Sequence, residues 1–263
     1  MEFRTNDNVR IHFTDTAEVE KQAIIFIPGI GGSGRLFDRA VELFKDQYRV
    51  IVMDPRNQGG SERTFKGQTI ARHGMDLAEL ISHLNLDRVI LVGNSMGAGI
   101  MWSYLSLFTD NQVAAMVDLD QSPKMVKDDT WTYGFKDLTW DLYPEYLRLD
   151  MGRAYYHPIA SELKKAAKDD YMKHPYIAED NFDLLRNHAE HDWRELLSTL
   201  TIPVLILAGE KSPYFNPDFA DKVADLSDNI FAQVIPDCGH IIQAEQPELM
   251  HEAIINFLTK QNI

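Results

Sequence analysis

The sequence has very little cysteine and an excess of acidic over basic residues. Its single cysteine, Cys238, excludes an intrachain disulfide, and the chain contains no Asn-x-Ser/Thr sequon. With 26 Lys and Arg against 40 Asp and Glu, the formal net charge is −14, which repels phosphate backbones and anionic lipid headgroups. We therefore expect neither a nucleic-acid partner nor binding to a membrane surface.

Long hydrophobic runs are also missing from the chain. No stretch approaches the length that a membrane-spanning helix needs, and the first residues, Met1 to Asp7, are mostly polar or charged, unlike a secretory signal. Together with the cysteine count, this pattern predicts a cytoplasmic protein. The 263 residues are 44% hydrophobic, which is enough for one large domain with a substantial core.

Short apolar runs alternate with helical patterns along most of the chain. A hairpin pattern occupies the first 15 residues, and continuous β-branched or aliphatic runs typical of buried parallel strands follow at 23–27, 48–53, 88–93, 113–119, 203–209 and 230–235. Amphipathic patterns of helical period separate several of these runs. The predicted fold class is α/β, with a mostly parallel, doubly wound sheet.

The alternation stops between residues 124 and 200. We expect 1–123 and 201–263 to form one core domain, and 124–200 to be a helical cap inserted after the sixth strand. Aromatic residues are frequent in this segment and either pack its own small core or cover an apolar pocket. They are Trp131, Tyr133, Phe135, Trp140, Tyr143, Tyr146, Tyr155, Tyr156, Tyr171 and Tyr176.

The pentapeptide Gly93-Asn94-Ser95-Met96-Gly97 lies between a predicted buried strand and an apolar helix. In a tight strand-to-helix turn, a serine between glycines projects its hydroxyl away from the sheet, and neighbouring backbone leaves no room for flanking side chains. The backbone N–H of Met96 would then lie at a helix N-terminus, where it could stabilise a negatively charged oxygen. Ser95 is therefore a candidate nucleophile.

A second glycine-rich turn follows the strand at 23–27 and permits two interpretations. Gly29, Gly31 and Gly34 match the dinucleotide-binding pattern, with Asp54 after the next strand as the ribose-binding acid. Pro28 before the first glycine argues against that interpretation. Alternatively, a bare backbone N–H such as that of Ile30 faces a substrate oxygen.

Among nine histidines, His240 has the most informative position. It follows a glycine in the loop between the last strand and the last helix, and it comes after Ser95 in the chain. A histidine that accepts the proton of a serine hydroxyl and returns it to a leaving group is the base of nucleophilic acyl transfer. His188, His191 and Asp192 imitate a metal-binding pattern, but on a charged helix we expect them to be solvated rather than bound to metal.

These motifs together resemble the α/β-hydrolase superfamily over essentially the whole chain. The matching residues are Pro28 to Gly32, Asp54 and Arg56 with Gly59 to Ser61, Gly93 to Gly97, Pro203 to Gly209, Gly239-His240 and Glu245 to Pro247. The resemblance implies a serine hydrolase with no cofactor. It assigns Ser95 as nucleophile, His240 as base, and the N–H groups of Ile30 and Met96 as oxyanion-hole donors.

The acid that orients the histidine departs from the family pattern. The position that most often holds this aspartate is occupied by Ser212. Some members of the superfamily carry the acid after the preceding strand instead, and there Asp120 lies at the predicted carboxyl edge of the sheet. Asp120 is therefore our choice for the acid, with Glu210 and Asp118 as weaker candidates.

The predicted activity is hydrolysis of a small or medium apolar ester through an acyl-enzyme. Two alternatives stay open. Gly-Asn-Ser-Met-Gly and Cys-Gly-His also resemble carbon–carbon bond hydrolases of vinylogous diketones, although their acid usually occupies the position of Ser212. A hydrolase-fold protein retained for binding, with little turnover, is the second alternative.

Overall fold

The computed structural model of the protein describes all 263 residues and contains one eight-stranded sheet. The sheet order is β1-β2-β4-β3-β5-β6-β7-β8; β2 pairs antiparallel with both β1 and β4, and every other pair is parallel. The predicted fold class is thereby confirmed. The strands are β1 Glu2–Arg4, β2 Arg10–Asp15, β3 Ala23–Ile27, β4 Arg49–Met53, β5 Val89–Asn94, β6 Val113–Leu119, β7 Val204–Gly209 and β8 Ile230–Ile235.

Nine α-helices connect or flank these strands. They are α1 Asp38–Phe44, α2 Ile70–His83, α3 Met96–Phe108, α4 Ser161–Lys173, α5 Phe182–Glu190, α6 Arg194–Thr199, α7 Phe219–Ala224, α8 Ile242–Glu245 and α9 Pro247–Lys260. None of them combines the length and apolar character required to cross a bilayer.

The burial of the strands follows their apolar patterns. All residues of β3, β4, β5, β6 and β7 are buried, as expected for parallel strands covered on both faces. In β2, by contrast, buried residues alternate with partly exposed ones, and most residues of the edge strand β8 are accessible. The continuous runs therefore occupy the centre of the sheet, and the hairpin and β8 form its edges.

Helices cover both faces of the sheet and divide the core in two. One apolar cluster contains Phe37, directly before α1, and Phe44, at the end of α1, together with Met250, Ile254 and Leu258 of α9. The larger cluster joins the other face to α2, α3 and α7 and extends into the 124–200 segment. Because β3, β5, β6 and β7 are parallel, their carboxyl ends meet at one edge, where ligands bind in open α/β sheets.

The 124–200 segment lies between β6 and β7, and its α-helices, α4, α5 and α6, all lie in its second half. Before α4 the chain forms isolated bridges, turns and one 3₁₀ turn, Glu145–Arg148. The division into a core domain and a cap remains a prediction.

A buried ion-pair network ties the N-terminal hairpin to α2. The guanidinium of Arg56 is fully buried and donates to both carboxylate oxygens of Asp76 at 2.7 Å, and it also contacts Asp7 at 3.0 Å. Arg72 contacts Asp76 as well, at 2.8 Å. A buried carboxylate deprived of such a partner is strongly destabilising, because its desolvation is no longer compensated.

Replacing Arg56 by Met is expected to lower the free energy of unfolding by about 3 kcal/mol, since it leaves Oδ2 of Asp76 buried without a partner. Arg186→Met is the matched control, because Arg186 pairs with Asp183 at an exposed site and should change stability by less than about 1 kcal/mol. Urea unfolding curves measure both values. Equal effects of the two substitutions would contradict the structural role given to Arg56.

Candidate active site

Ser95 lies in a strained turn between β5 and α3. Its backbone has φ 55° and ψ −124°, in the left-handed half of conformational space that non-glycine residues rarely adopt. A Cβ at Gly93 would lie 2.4 Å from the carbonyl carbon of Gly97, and a Cβ at Gly97 would lie 2.2 Å from the backbone oxygen of Ile27. The close approach of backbone on both sides therefore explains the two glycines around Ser95.

The turn after β3 lies against Ser95. A Cβ at Gly29 would be 2.9 Å from the Ser95 Cβ, so the backbone at Gly29 is in contact with the serine. The N–H of Ile30 has no hydrogen-bond partner, whereas the N–H of Gly31 donates to Oε1 of the buried Gln58 at 2.6 Å. Gln58 thus fixes the turn and leaves the Ile30 amide available.

Met96 supplies the second amide predicted from the sequence. It is the first residue of α3 and is fully buried. The first N–H groups of a helix have no partner within that helix and carry its positive dipole end. Gly29, Ile30 and Ser95 all line one cavity, and the Met96 amide directly follows Ser95 in the chain.

His240 and Asp120 form a buried hydrogen-bonded pair. Nδ1 of His240 lies 2.6 Å from Oδ2 of Asp120, and the two side chains are 6% and 0% exposed. Asp120 directly follows β6 with φ 60°, and its Oδ1 accepts from the N–H of Gly209 at 2.9 Å. The carboxylate is therefore held from two sides while it contacts the imidazole.

Ser212 contributes a hydroxyl to the same carboxylate. Its Oγ donates to Oδ2 of Asp120 at 2.6 Å. Of the weaker acid candidates, Glu210 is exposed and bonds to Lys211 and the N–H of Asp237, and Asp118 is buried and accepts from the N–H of Gln121. Neither carboxylate hydrogen-bonds to His240.

Ser95 and His240 line the same cavity, although their side chains make no hydrogen bond to one another. Contacts between nucleophile and base are often long before substrate binds. The His240 ring packs against Tyr214 and Phe215, with centroid distances of 4.6 and 6.0 Å.

Asn94 and Glu245 anchor the loop that carries His240, and the sequence reasoning assigned a role to neither. The Nδ2 of Asn94 donates to the backbone oxygens of His240, at 3.0 Å, and Leu119, at 2.9 Å. The carboxylate of Glu245 accepts from the N–H groups of Gly239 and Tyr156. Both residues lie inside motifs that resemble the family, which is the only signal that could have singled them out.

Asp54, the acid of the dinucleotide-binding interpretation, is occupied by contacts within the protein. Its carboxylate accepts from the N–H groups of Gly34 and Gly60, at 3.0 and 2.9 Å, and contacts Nδ1 of His12 at 2.9 Å. Asp54 therefore holds the loop after β3 and the loop after β4 together. The glycine turn faces Ser95 and the cavity.

The cavity above Ser95 has a volume of about 600 Å³ and is lined mostly by hydrophobic residues. Of the ten aromatic residues predicted to pack or cover a pocket, only Phe135 and Tyr176 line it. Trp131 is buried elsewhere, and Trp140 and Tyr171 are about half exposed. Several aliphatic or thioether side chains of the same segment also line it: Met125, Leu147, Leu149, Met151 and Leu185.

The expectation that His188 is solvated is wrong. His188 is 4% exposed and lines the cavity, because α5 packs its apolar face, including Leu184, into the core. Burial lowers the pKa of His188 to about 3. Asp192 pairs with Arg194, and no group of three or more potential metal ligands is assembled anywhere in the structure.

Comparison with known proteins supports one family. A family model described as alpha/beta hydrolase fold matches residues 22–143. The chain has the α/β-hydrolase fold. It is 27% identical to a Haemophilus influenzae protein named as an esterase/lipase, over 98% of this chain and 94% of that one. It is 24% identical to 3-oxoadipate enol-lactonase 1 of Acinetobacter baylyi, over 90% of this chain and 88% of that one.

A solved structure shows the same fold in an esterase from Exiguobacterium antarcticum. The TM-score is 0.85 at 20% identity, and the alignment covers 98% of this chain and 99% of the esterase. The match to the family model and the names of the relatives support hydrolase activity.

Two buried histidines predict how the stability of the protein depends on pH. Burial lowers the pKa of both His73 and His188 to about 3, and the nearby Arg56 and Arg72 contribute at His73. Between about pH 6.5 and 3 the unfolded chain binds protons that the folded protein excludes. Stability should therefore fall with decreasing pH, by up to about 1.4 kcal/mol per pH unit for each histidine.

Replacing His73 by Leu should make this loss of stability shallower. Urea unfolding of wild type and variant at pH 7 and pH 5 measures the difference. Identical changes between the two pH values in both proteins would contradict the assignment.

Proposed function

We propose that the protein is a serine hydrolase that cleaves carboxylic esters, with Ser95 as nucleophile, His240 as base and Asp120 as the orienting acid. The observation that carries the proposal is the buried 2.6 Å contact between Asp120 and His240 beside the cavity that also contains Ser95. An imidazole oriented in this way next to a serine in a strained turn is the arrangement that nucleophilic acyl transfer needs.

In the acylation step, Ser95 Oγ attacks the ester carbonyl carbon and Nε2 of His240 accepts the hydroxyl proton. Asp120 accepts from Nδ1–H, which keeps the imidazole in the tautomer with a free Nε2 and stabilises the imidazolium that forms. The negative charge that develops on the carbonyl oxygen is stabilised by the N–H groups of Ile30 and Met96. Collapse of the tetrahedral intermediate breaks the ester bond, and His240 donates its proton to the leaving alcohol.

In the second step a water molecule takes the place of the alcohol. His240 accepts a proton from this water as its oxygen attacks the acyl carbon, and the same two amides stabilise the oxyanion. Release of the carboxylic acid returns the proton to Ser95 Oγ. The protein needs no redox partner for either step, because the reaction is an acyl transfer followed by hydrolysis.

The dimensions of the cavity support a small or medium ester as substrate. A volume of about 600 Å³ with mainly aliphatic and aromatic walls suits an ester with a largely apolar chain. The relatives named esterase/lipase and enol-lactonase both act, by their names, on carboxylic ester bonds.

Replacing Ser95 by Ala should abolish hydrolysis of p-nitrophenyl esters and labelling by a fluorophosphonate probe, since both need the hydroxyl. Ser106→Ala is the matched control: Ser106 lies on α3, and its hydroxyl bonds only to the backbone oxygen of Ser103. Circular dichroism confirms that both variants are folded. Ester turnover by Ser95→Ala, or a wild-type protein that the probe does not label, would refute the nucleophile assignment.

Replacing Asp120 by Asn should lower kcat by roughly ten-thousand-fold, because the amide can impose the wrong tautomer on His240. Ser212→Ala should lower kcat no more than about tenfold, since one hydrogen bond to the carboxylate is lost while the charge remains. Glu210→Gln serves as the control. Steady-state kinetics at one pH compare the three, and a larger loss in Ser212→Ala or Glu210→Gln than in Asp120→Asn would move the acid role elsewhere.

A further inference from the structure

A second, smaller cavity adjoins the one that contains Ser95. Its volume is about 200 Å³, against about 600 Å³ for the larger cavity, so it would add about a third to the space available to a ligand. Four residues line both cavities: Gly31, Gly32, Leu36 and Tyr176. Because these residues border the larger cavity and the smaller one, they form the wall between the two.

Tyr176 provides the largest side chain of this wall and the only one from the 124–200 segment. Three carbon atoms of its ring, Cδ1, Cε1 and Cγ, lie 3.4 to 3.6 Å from the place that a Cβ on Gly31 would occupy. A single methyl group would therefore fill the gap between the ring and the glycine turn. An ester chain in the larger cavity cannot pass through that gap unless the ring is displaced. Burial raises the pKa of Tyr176 to about 12, so the ring is uncharged at neutral pH.

The backbone side of the wall is held in place from the smaller cavity. The N–H of Gly31 donates to Oε1 of Gln58 at 2.6 Å, and Gln58 is 1% exposed and lines the smaller cavity. The same turn carries Ile30, whose amide is one of the proposed oxyanion-hole donors. The ring of Tyr176 is consequently the part of the wall that a substitution can remove while the hydrogen bond that holds this turn remains.

The smaller cavity can accept the end of an apolar chain. Its polar side chains include Ser33, whose hydroxyl donates to the carboxylate of Asp170, and Gln58, whose Oε1 is bonded to the turn. Apolar surface comes from three further residues: Leu36, Ala167 and Tyr171. A chain that entered this cavity would bury apolar area against them, which favours binding in proportion to that area.

We propose that Tyr176 sets the preferred chain length of the ester by excluding the chain from the smaller cavity. This proposal rests on the ester hydrolysis proposed above and names a residue that determines its specificity. Since the ring lies against the residue after Ile30, it blocks a chain that extends along the turn from the position of the ester carbonyl. A steric barrier of this kind discriminates against long substrates without any new attractive contact to short ones.

Replacing Tyr176 by Ala should join the two cavities and shift the optimum of kcat/KM towards longer chains. The test uses p-nitrophenyl esters with straight acyl chains of two to twelve carbons, and a second series of acetates of straight-chain alcohols. In at least one series the optimum should lengthen by two or more carbons. The ratio of kcat/KM for a chain beyond the wild-type optimum to kcat/KM for a short chain should rise at least about tenfold.

Two further variants control for effects other than the wall. Tyr176→Phe keeps the ring carbons that face the turn and should keep the wild-type optimum. Tyr155→Ala makes the same change at a partly exposed tyrosine of the 124–200 segment that lines neither cavity, and it should also keep that optimum. If Tyr176→Ala does not fold, as judged by circular dichroism, Tyr176→Val decides by the same criterion.

Binding of straight-chain methyl ketones to Ser95→Ala, measured by calorimetry, separates the wall from the catalytic proposal, because ketones cannot be hydrolysed. A longer preferred ketone in the double variant Ser95→Ala/Tyr176→Ala than in Ser95→Ala supports the wall even if the wild-type protein cleaves no ester. The proposal is overturned if the loss of the ring changes the preferred length in neither turnover nor binding, or if Tyr176→Phe or Tyr155→Ala changes it as much.

Discussion

The hydrogen bond between Asp120 and His240 joins two parts of the chain 120 residues apart. It exists because β6 ends beside β7 and because the loop after β8 returns over the same edge of the sheet. Asn94 strengthens this contact, because its side-chain amide donates hydrogen bonds to the backbone oxygens of both His240 and Leu119, at the end of β6. These hydrogen bonds hold the loops at the carboxyl edge of the sheet beside the strained turn of Ser95. The positions of all the proposed catalytic groups depend on them.

The pairing of strands β6 and β7 also explains why Ser212 can occupy the position at which α/β-hydrolases most often carry the acid. β6 and β7 are neighbouring parallel strands, so a carboxylate after either strand reaches the same region. Here Asp120 extends from β6, and Ser212, after β7, donates a hydroxyl to it at 2.6 Å. The N–H of Gly209 donates to its other oxygen. The functional requirement is a buried, oriented carboxylate at the imidazole, and two strand ends can supply it.

Much of the architecture could be predicted from the sequence because local patterns determine it. Continuous apolar runs identify the central strands, and the glycines around Ser95 reflect backbone contacts within one turn. The burial of His188 could not be predicted, since it depends on how α5 packs against α3 at Gly99. For the same reason the lining of the cavity could not be predicted: most of the aromatic residues of the 124–200 segment lie away from it, and aliphatic residues of that segment form part of its walls.

The most direct test of the central claim is a proton NMR measurement of the His240 ring. A short, buried bond to a carboxylate moves an Nδ1–H resonance far downfield and slows its exchange with water, so it can be observed without any substrate. We expect this resonance in the wild-type protein and in Glu210→Gln, and its loss in Asp120→Asn. Persistence of the signal in Asp120→Asn, or its disappearance in Glu210→Gln, would contradict the account.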